Sequence, residues 1–282
     1  MSANAIYPRL FTKLFASPLM LHAPVRATFE RELISQISAQ RSGSHQPKAE
    51  ASQERQWRQS RVFQKVGSVA VVSIEGVIDK RVSMMDLDCY GGCDLADVDN
   101  ALNQAADPSI KSVLLYVNTP GGSVTGTPET AARLAELAKM KPVEAYVDVM
   151  ACSAGYYIAS QATRIVATPS AIIGSIGVYM AILDMSRALE MSGIREHVIK
   201  AGKWKDTGSP YRALTDEEHE RLQAGVTRMH AQFKAAVKSK RPKVQDSTME
   251  GQWMDGTEAD ELYLVDELTN ETPDERISRM LV

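Results

Sequence analysis

Cysteine and histidine are scarce in this chain. Its 282 residues include three cysteines and five histidines. Three cysteines are too few for a disulfide scaffold and fit a reducing compartment such as the cytoplasm. Cys89 and Cys93 are close in sequence. No second pair of cysteines or histidines follows at a zinc-binding spacing, so we expect no metal site.

Long apolar runs are also missing. Near the N-terminus, Lys13 interrupts the apolar residues and Pro18 ends the next short run. A membrane span needs about 20 consecutive apolar residues, and a signal peptide needs an uninterrupted apolar core. We therefore expect neither a membrane anchor nor a signal peptide. The net charge of −3 gives no reason to expect nucleic acid or an anionic membrane as a partner.

The order of apolar segments predicts an α/β protein. A hydrophobic content of 44% and a charged content of 24% are those of a globular domain. Strands alternating with helices favour a mainly parallel sheet. The predicted strands cover 69–74, 112–117, 143–149 and 164–167, and the predicted helices cover 94–104, 128–140 and 215–238. We assign 1–40 to an N-terminal docking extension, 41–61 to a flexible linker and 62–282 to one large domain.

One serine lies where a strand meets a helix. Ser153 follows the predicted strand and stands among small residues, which leave room for a substrate carbonyl. The free N–H groups at a helix N-terminus favour developing negative charge, as a nucleophile requires. A helix N-cap is the commoner explanation of such a serine, and both interpretations stay open at this point.

Two further segments bear on that choice. Residues 118–124 (N-T-P-G-G-S-V) follow a buried strand, and adjacent glycines can expose consecutive N–H groups of the kind an oxyanion hole requires. An ordinary Pro-Gly turn would have the same letters. Residues 200–206 (K-A-G-K-W-K-D) form a basic loop. A lysine there, made neutral by burial, could accept the proton of Ser153.

Four segments, in order, resemble motifs of the S49 peptidases, the signal peptide peptidase A group. Residues 118–124 resemble the family loop N-S-P-G-G-x-V, and residues 152–157 (C-S-A-G-Y-Y) resemble its nucleophile segment S-G-G-Y-Y. Residues 174–178 reproduce its G-S-I-G-V turn, and residues 202–212 resemble its lysine loop G-x-x-K-D…S-P-x-R. The resemblance runs from about Ser68 to Leu268.

The resemblance implies the Clp protease/crotonase fold of repeated ββα units, with 62–282 as a serine protease domain. It makes Ser153 the nucleophile, Lys205 the general base and Ser175 the hydroxyl that orients the lysine. The candidate oxyanion donors are the amides of Gly121, Gly122 and Ala154. Ala154 replaces a glycine of the family motif but keeps its N–H. No cofactor or metal is implied.

Residues 15–21 (F-A-S-P-L-M-L) resemble the N-terminal motif F-N-x-P-L-x-L of phage head-maturation proteases, the lambda C-protein type. This implies a polypeptide substrate, a ring-shaped homo-oligomer, and capsid, portal or scaffold proteins as partners, in the host cytoplasm or a virion precursor. The alternatives are a housekeeping peptidase that degrades signal peptides and an assembly protein with the protease fold. A crotonase-type acyl-CoA enzyme would need neither Ser153 nor Lys205.

A Ser-His-Asp mechanism is the rival on the same fold. Clp proteases, by the resemblance, place their histidine soon after the serine, but this chain has none between Ser153 and His197. We predict that His197 lies in a strand close to the lysine loop and is structural. The sequence therefore favours Lys205 over a histidine as the base.

Overall fold

The computed structural model describes residues 17–21, 60–82 and 92–282. These residues form two compact units. The larger comprises the described residues of Met20–Gly177 together with Gln232–Val282, and the smaller comprises Val178–Ala231 with the described residues up to Leu19. Most of the predicted extension (1–40) and linker (41–61) lies outside the described residues, so the domain boundaries stay predictions.

Strands and helices alternate through most of the described chain. The strands are β1 (Leu19–Leu21), β2 (Phe63–Val66), β3 (Val69–Glu75), β4 (Ile78–Asp79), β5 (Cys93–Asp94), β6 (Ser112–Asn118), β7 (Gly121–Ser123), β8 (Val143–Val147), β9 (Met150–Cys152), β10 (Arg164–Ala167), β11 (Ile172–Gly174), β12 (Trp253–Asp255) and β13 (Glu267–Leu268). The helices are α1 (Leu95–Ala105), α2 (Thr127–Met140), α3 (Ala154–Ala159), α4 (Ser186–Met191), α5 (Asp216–Lys240), α6 (Gly256–Glu261) and α7 (Pro273–Met280), with a 3-10 turn at Asp246–Thr248.

Consecutive ββα units build the larger unit. Each begins with a long strand (β3, β6 or β8), continues with a short strand (β4, β7 or β9) and ends in a helix (α1, α2 or α3), with β5 added before α1. The long strands lie in a six-stranded sheet of order β13-β10-β8-β6-β3-β2, parallel except for the β2–β3 pair. The predicted α/β fold of repeated ββα units is confirmed.

The short strands leave the main sheet and pair with one another. β7 and β4 belong to a sheet of order β1-β7-β4-β5, and β9 belongs to a sheet of order β12-β11-β9. The predicted strand 143–149 is therefore two elements, because the chain turns after Val147 and enters β9 at Met150. This turn is what carries residue 153 away from the main sheet.

Burial explains why the apolar runs do not alternate. All five residues of β8 are buried, and so are Val113, Leu114 and Leu115 of β6. Parallel strands covered on both faces need apolar side chains on both, which gives continuous runs. The predicted strands at 69–74, 112–117 and 164–167 are confirmed.

A buried cluster of charges holds the C-terminal helix α7 on the sheet. The Arg276 guanidinium is fully buried and donates hydrogen bonds to Glu144 (2.5 and 3.1 Å), Glu267 (2.8 Å) and Glu271 (2.8 Å). On the same helix, Ile277 packs against the apolar core. A buried charge with several hydrogen-bonded counter-charges is a strong anchor only as long as every partner is present.

The smaller unit contains α4, a long exposed segment and the start of α5. Thr215 and Glu218 form the predicted capping box: the Glu218 N–H donates to the Thr215 hydroxyl (3.2 Å), and the Thr215 N–H donates to the Glu218 carboxylate (3.0 Å). The prediction of a strand around His197 is wrong. Residues 194–200 are exposed and belong to no strand of the described chain.

Across the described ranges, no helix is both long enough and apolar enough to span a bilayer.

Candidate active site

Ser153 occupies the junction between β9 and α3, with its side chain buried. Its backbone has φ +53° and ψ −116°, and its hydroxyl accepts no capping hydrogen bond from α3. The first interpretation of a serine at this place, a helix N-cap, is therefore not supported. The hydroxyl is left available for another role.

The backbone at Ser153 is strained and firmly held. A positive φ outside the common regions costs roughly 1–3 kcal/mol and persists only where the surroundings impose it. The Ser153 N–H donates to the Gly174 carbonyl (2.8 Å), and its carbonyl accepts from the Tyr157 N–H (2.8 Å). One residue earlier, the Cys152 N–H donates to the Thr119 carbonyl (3.0 Å). Backbone bonds on both sides thus fix the direction in which the side chain leaves the turn.

Cys152 is not a competing nucleophile. Burial raises the pKa of its thiol to about 12, and the sulfur lies 3.7 Å from the Ile172 carbonyl. The nucleophilic form of cysteine is the thiolate, which such a pKa suppresses at neutral pH. Burial likewise raises the pKa of Cys93 to about 12, and Cys89 lies outside the described residues.

The Gly121–Gly122 turn lies directly against Ser153. Gly121 has φ +96°, and a Cβ placed on it would be 2.9 Å from the Ser153 Cβ and 3.0 Å from the Ala154 nitrogen. On Gly122 a Cβ would be 1.9 Å from the Ile78 carbonyl oxygen, so this glycine is required for close packing on β4. The structure therefore brings three of the predicted site residues together: Gly121, Ser153 and Ala154.

The amides of these residues differ in what they already bind. Ala154 is the first residue of α3, and the first amides of a helix have no acceptor within it. The Gly121 N–H, in contrast, donates to the Thr119 hydroxyl (3.0 Å). The Ala154 N–H therefore lies beside Ser153 without an acceptor inside α3. Gly121 would have to release Thr119 to act in the same way.

Thr119 organises the site and was missed in the sequence analysis. Its hydroxyl donates to the Gly76 carbonyl (2.5 Å) as well as accepting from Gly121, and a Cβ on Gly155 would be 2.2 Å from its methyl group. One side chain thus connects the turn after β3, the glycine turn and α3. The only sequence signal for Thr119 is its place in the 118–124 motif, which by itself indicates a glycine turn.

Helix α3 is fixed by its two tyrosines. All six of its residues are buried. The Tyr156 hydroxyl donates to the Leu264 carbonyl (2.8 Å), and the Tyr157 ring lies 4.7 Å from the Phe233 ring, centroid to centroid. These contacts hold the first turn of α3, and hence the Ala154 amide, in one place.

Ser175 follows β11 as Ser153 follows β9. The two strands are parallel neighbours, with Gly174 paired to Cys152. Ser175 is buried and also has φ +53°, and its N–H donates to the Gln252 carbonyl (2.7 Å). The register thus places both serines at the same end of this small sheet.

Lys205 belongs to the smaller unit, and its side chain is exposed. The burial that we expected for its amine is therefore not present in the chain alone. Its backbone N–H donates to the Gly202 carbonyl (3.2 Å).

Charges brace the loop that carries Lys205. The Asp206 carboxylate accepts hydrogen bonds from Arg212 (2.9 Å) and Lys200, and these hydrogen bonds lower its pKa to about 2. Arg212 also donates to Glu218 (2.8 and 2.6 Å) at the start of α5. The Asp206 carboxylate is thus engaged by these two cations.

The chain matches known proteins across this region. The model of peptidase family S49 matches residues 135–279. The protein MJ0651 of Methanocaldococcus jannaschii is 39% identical over a region covering 58% of this chain and 54% of its own length. Capsid assembly protease C of Escherichia phage lambda is 35% identical over a region covering 76% of this chain and 49% of its own length.

Among solved structures, an enoyl-CoA hydratase from Thermoplasma volcanium aligns over 78% of this chain and 74% of its own, with 14% sequence identity and a TM-score of 0.40. The chain spans about half the length of the first curated relatives that it matches. The family match covers more than half of the chain and includes Ser153, Ser175 and Lys205. The chain belongs to peptidase family S49.

Proposed function

We propose that this protein is a serine endopeptidase in which Ser153 is the nucleophile and Lys205 the general base. The observation that carries the proposal is the strained turn at Ser153, whose hydroxyl caps no helix and stands beside the Ala154 amide and the Gly121 backbone. Strain of this kind concentrates at functional sites. Because the chain belongs to a peptidase family, the role that fits this strained serine is that of the nucleophile.

The reaction follows the chemistry of an acyl-enzyme. The Ser153 oxygen bonds to the carbonyl carbon of the peptide while the neutral amine of Lys205 takes the hydroxyl proton. Backbone N–H groups, with Ala154 first among them, stabilise the resulting oxyanion. The C–N bond then breaks, and Lys205 gives its proton to the leaving amine. Water hydrolyses the ester by the same steps and restores the Ser153 hydroxyl.

Lys205 needs cover before it can act as a base. A general base has to be neutral to accept a proton, and desolvation favours the neutral form of an amine. Since Lys205 is exposed in the chain alone, the cover has to come from bound substrate or from a further copy in the proposed ring. Ser175 is the proposed hydroxyl that orients the amine once it is covered.

The proposed biological role is capsid maturation in a phage or prophage, with capsid, portal or scaffold proteins as partners. It is favoured by the lambda relative, whose match covers 76% of this chain. The relative from Enterococcus faecium that carries a signal peptide peptidase name matches 57% of it. Degradation of signal peptides is accordingly the second candidate role.

A fluorophosphonate probe tests the nucleophile. Incubation of the full-length protein with the probe, followed by peptide mass spectrometry, should place the label on Ser153. Ser153→Ala should abolish both the label and the cleavage of casein. Ser170→Ala, an exposed serine on a turn, is the matched control and should leave both unchanged. Casein cleavage by a folded Ser153→Ala variant would rule the mechanism out.

The base is tested by charge-conserving substitutions in one loop. Lys205→Arg should be inactive, because an arginine side chain is not deprotonated at working pH. Lys203→Arg is the control, since Lys203 is also exposed and pairs with Glu217. Equal casein cleavage by Lys205→Arg and Lys203→Arg would remove Lys205 from the mechanism, and loss of activity in His197→Ala would point to the histidine instead.

A further inference from the structure

The edge of β7 next to Ser153 is already occupied by the chain itself. β7 has one neighbour in β4, through the Ile78–Gly122 pair, and its other neighbour is β1. β1 is Leu19–Leu21, and all three of its residues are buried. An extended polypeptide substrate is typically held by adding a strand to such an edge. The place where a substrate strand would lie is filled by a strand from the N-terminal segment.

The contact reaches the candidate nucleophile. The position that a Cβ would take on Gly121 lies 2.2 Å from the Met20 carbonyl oxygen, 2.9 Å from the Ser153 Cβ and 3.0 Å from the Ala154 nitrogen. A carbonyl group of β1 thus approaches the same point of the glycine turn as the nucleophile and the proposed oxyanion donor.

Ser153 is correspondingly closed off, with a relative exposure of 1%. A serine so covered cannot receive the carbonyl of a separate polypeptide until something moves. β1 is short, with three residues, and it enters from a segment that begins after Pro18. Its first residue exchanges two backbone hydrogen bonds with Tyr179 (2.8 and 3.0 Å). A strand of three residues is held by few backbone hydrogen bonds, so it can open locally at a small cost.

We propose that β1 is an internal occupant of the peptide-binding edge of β7, so that the protein is closed until a substrate strand replaces Leu19–Leu21. This inference rests on the proposed function and adds a substrate class to it. The replacing segment is extended and apolar, because it has to fill the buried environment that Leu19, Met20 and Leu21 now fill. A charged segment would lose hydration there without a counter-charge.

The proposal is tested by loosening β1 in the full-length chain. Leu19→Pro removes the N–H that donates to the Tyr179 carbonyl. Leu19→Val keeps that N–H and an apolar side chain, and serves as the matched control. We expect the fluorophosphonate to label Ser153 at least about tenfold faster in Leu19→Pro than in the unmodified protein, because the open fraction sets the apparent rate. Leu19→Val should label at the unmodified rate.

The outcomes separate this inference from the proposed function. Equal or slower labelling of Ser153 in a Leu19→Pro variant with native circular dichroism would overturn the occupancy of the edge and leave Ser153 as the nucleophile. Absence of label on Ser153 in every variant would overturn the proposed function, and this inference with it.

A second measurement uses the unmodified chain, in case Leu19→Pro does not fold. The aldehyde of acetyl-Leu-Met-Leu adds to the Ser153 oxygen, whose proton passes to the new hemiacetal oxygen. If this peptide replaces β1, hydrogen exchange at the Leu19 amide should accelerate at least about tenfold on saturation, since that amide loses its acceptor. The aldehyde of acetyl-Glu-Gln-Glu should bind more weakly. Unchanged protection of Leu19 with Ser153 fully occupied would overturn the proposal.

Discussion

The turn that carries Ser153 and the loop that carries Lys205 are held by different forces. Around Ser153, backbone hydrogen bonds from neighbouring strands and close glycine contacts fix the chain in a buried place. Around Lys205, ion pairs between partly exposed and buried side chains hold the loop, with Arg212 bound to Asp206 and Glu218. The first kind of support is insensitive to salt and resists small changes in geometry. The second is screened by salt and yields more easily.

The difference between the two supports fits the two roles proposed for Ser153 and Lys205. A nucleophile and an oxyanion donor need fixed positions, because catalysis falls steeply when reacting atoms are misplaced. For Lys205, the proposed role as a base requires cover from another surface, and an adjustable loop would allow that surface to fit. In the proposed mechanism, the turn that carries Ser153 is preorganised and the base comes from a loop that is held less tightly.

The largest effect on activity is expected from a methyl group added to the glycine turn that lies against Ser153. Gly121→Ala would place its Cβ within 3.0 Å of Met20, Ser153 and Ala154, so the turn has to shift. We expect casein cleavage to fall at least about a hundredfold, since a displacement near 1 Å can cost that much. Gly251→Ala is the control, because Gly251 has nearly the same φ (+97°) but nothing within 4 Å of its Cβ position. Equal activities of the two variants would show that the turn is not rigid.

The buried ion cluster of α7 tests whether rigidity in the larger unit extends beyond the turn. Arg276→Ala leaves the buried Glu144 carboxylate without its main partner, and should lower the free energy of unfolding by about 3–5 kcal/mol. Arg279→Ala, on the same helix, removes an exposed pair with Glu271 and should cost less than about 1 kcal/mol. Urea denaturation measures both. Similar losses would mean that the buried cluster contributes no more than a surface pair.

Much of the structure around the Ser153 turn could be predicted from sequence. Its strands are local apolar runs, and the motif letters located Ser153 and Gly121. The role of Thr119 could not be predicted, because its contacts with Gly76 and Gly155 arise only when distant segments are brought together. The pairing of β1 with β7 is long-range in the same way.

The structure around the Lys205 loop was harder to predict from sequence. The strand predicted around His197 is wrong: the segment is exposed and belongs to no strand of the described chain. The motif predicts which lysine matters. The exposure of that side chain depends on surfaces outside this chain, which its sequence does not encode. Arg212 stood in the motif, and its pairing with Asp206 follows only from the folded loop.

The ion pairs of the Lys205 loop make a prediction about pH. Hydrogen bonds from Arg212 and Lys200 lower the pKa of Asp206 from 3.8 to about 2. A lowered pKa means that the pair stabilises the fold fully above pH 3.8 and that this contribution is lost as the pH falls through about 2. Arg212→Gln should move the Asp206 pKa back towards 3.8, as measured by carbon NMR of the carboxyl group. Lys203→Gln, which removes a pair with Glu217, should leave it in place.

An Asp206 pKa that stays near 2 in Arg212→Gln would show that Lys200 alone holds the carboxylate. The loop would then be less braced at the start of α5 than the structure indicates. In the unmodified protein, raising the salt concentration should raise the Asp206 pKa, because the cationic side chains of Lys200 and Arg212 are partly exposed.

The smallest effect on activity is expected from a methyl group added to the loop that carries Lys205. Gly202 has φ +101°, close to that of Gly121, but nothing lies within 4 Å of its Cβ position. Gly202→Ala should therefore cost only the backbone strain, about 1 kcal/mol in thermal unfolding, and should reduce casein cleavage less than Gly121→Ala does. The loop can absorb this strain because its ion pairs are made by side chains and not by the backbone at residue 202. A loss of activity equal to that of Gly121→Ala would mean that the Lys205 loop is held as tightly as the Ser153 turn, and the contrast between the two supports would fail.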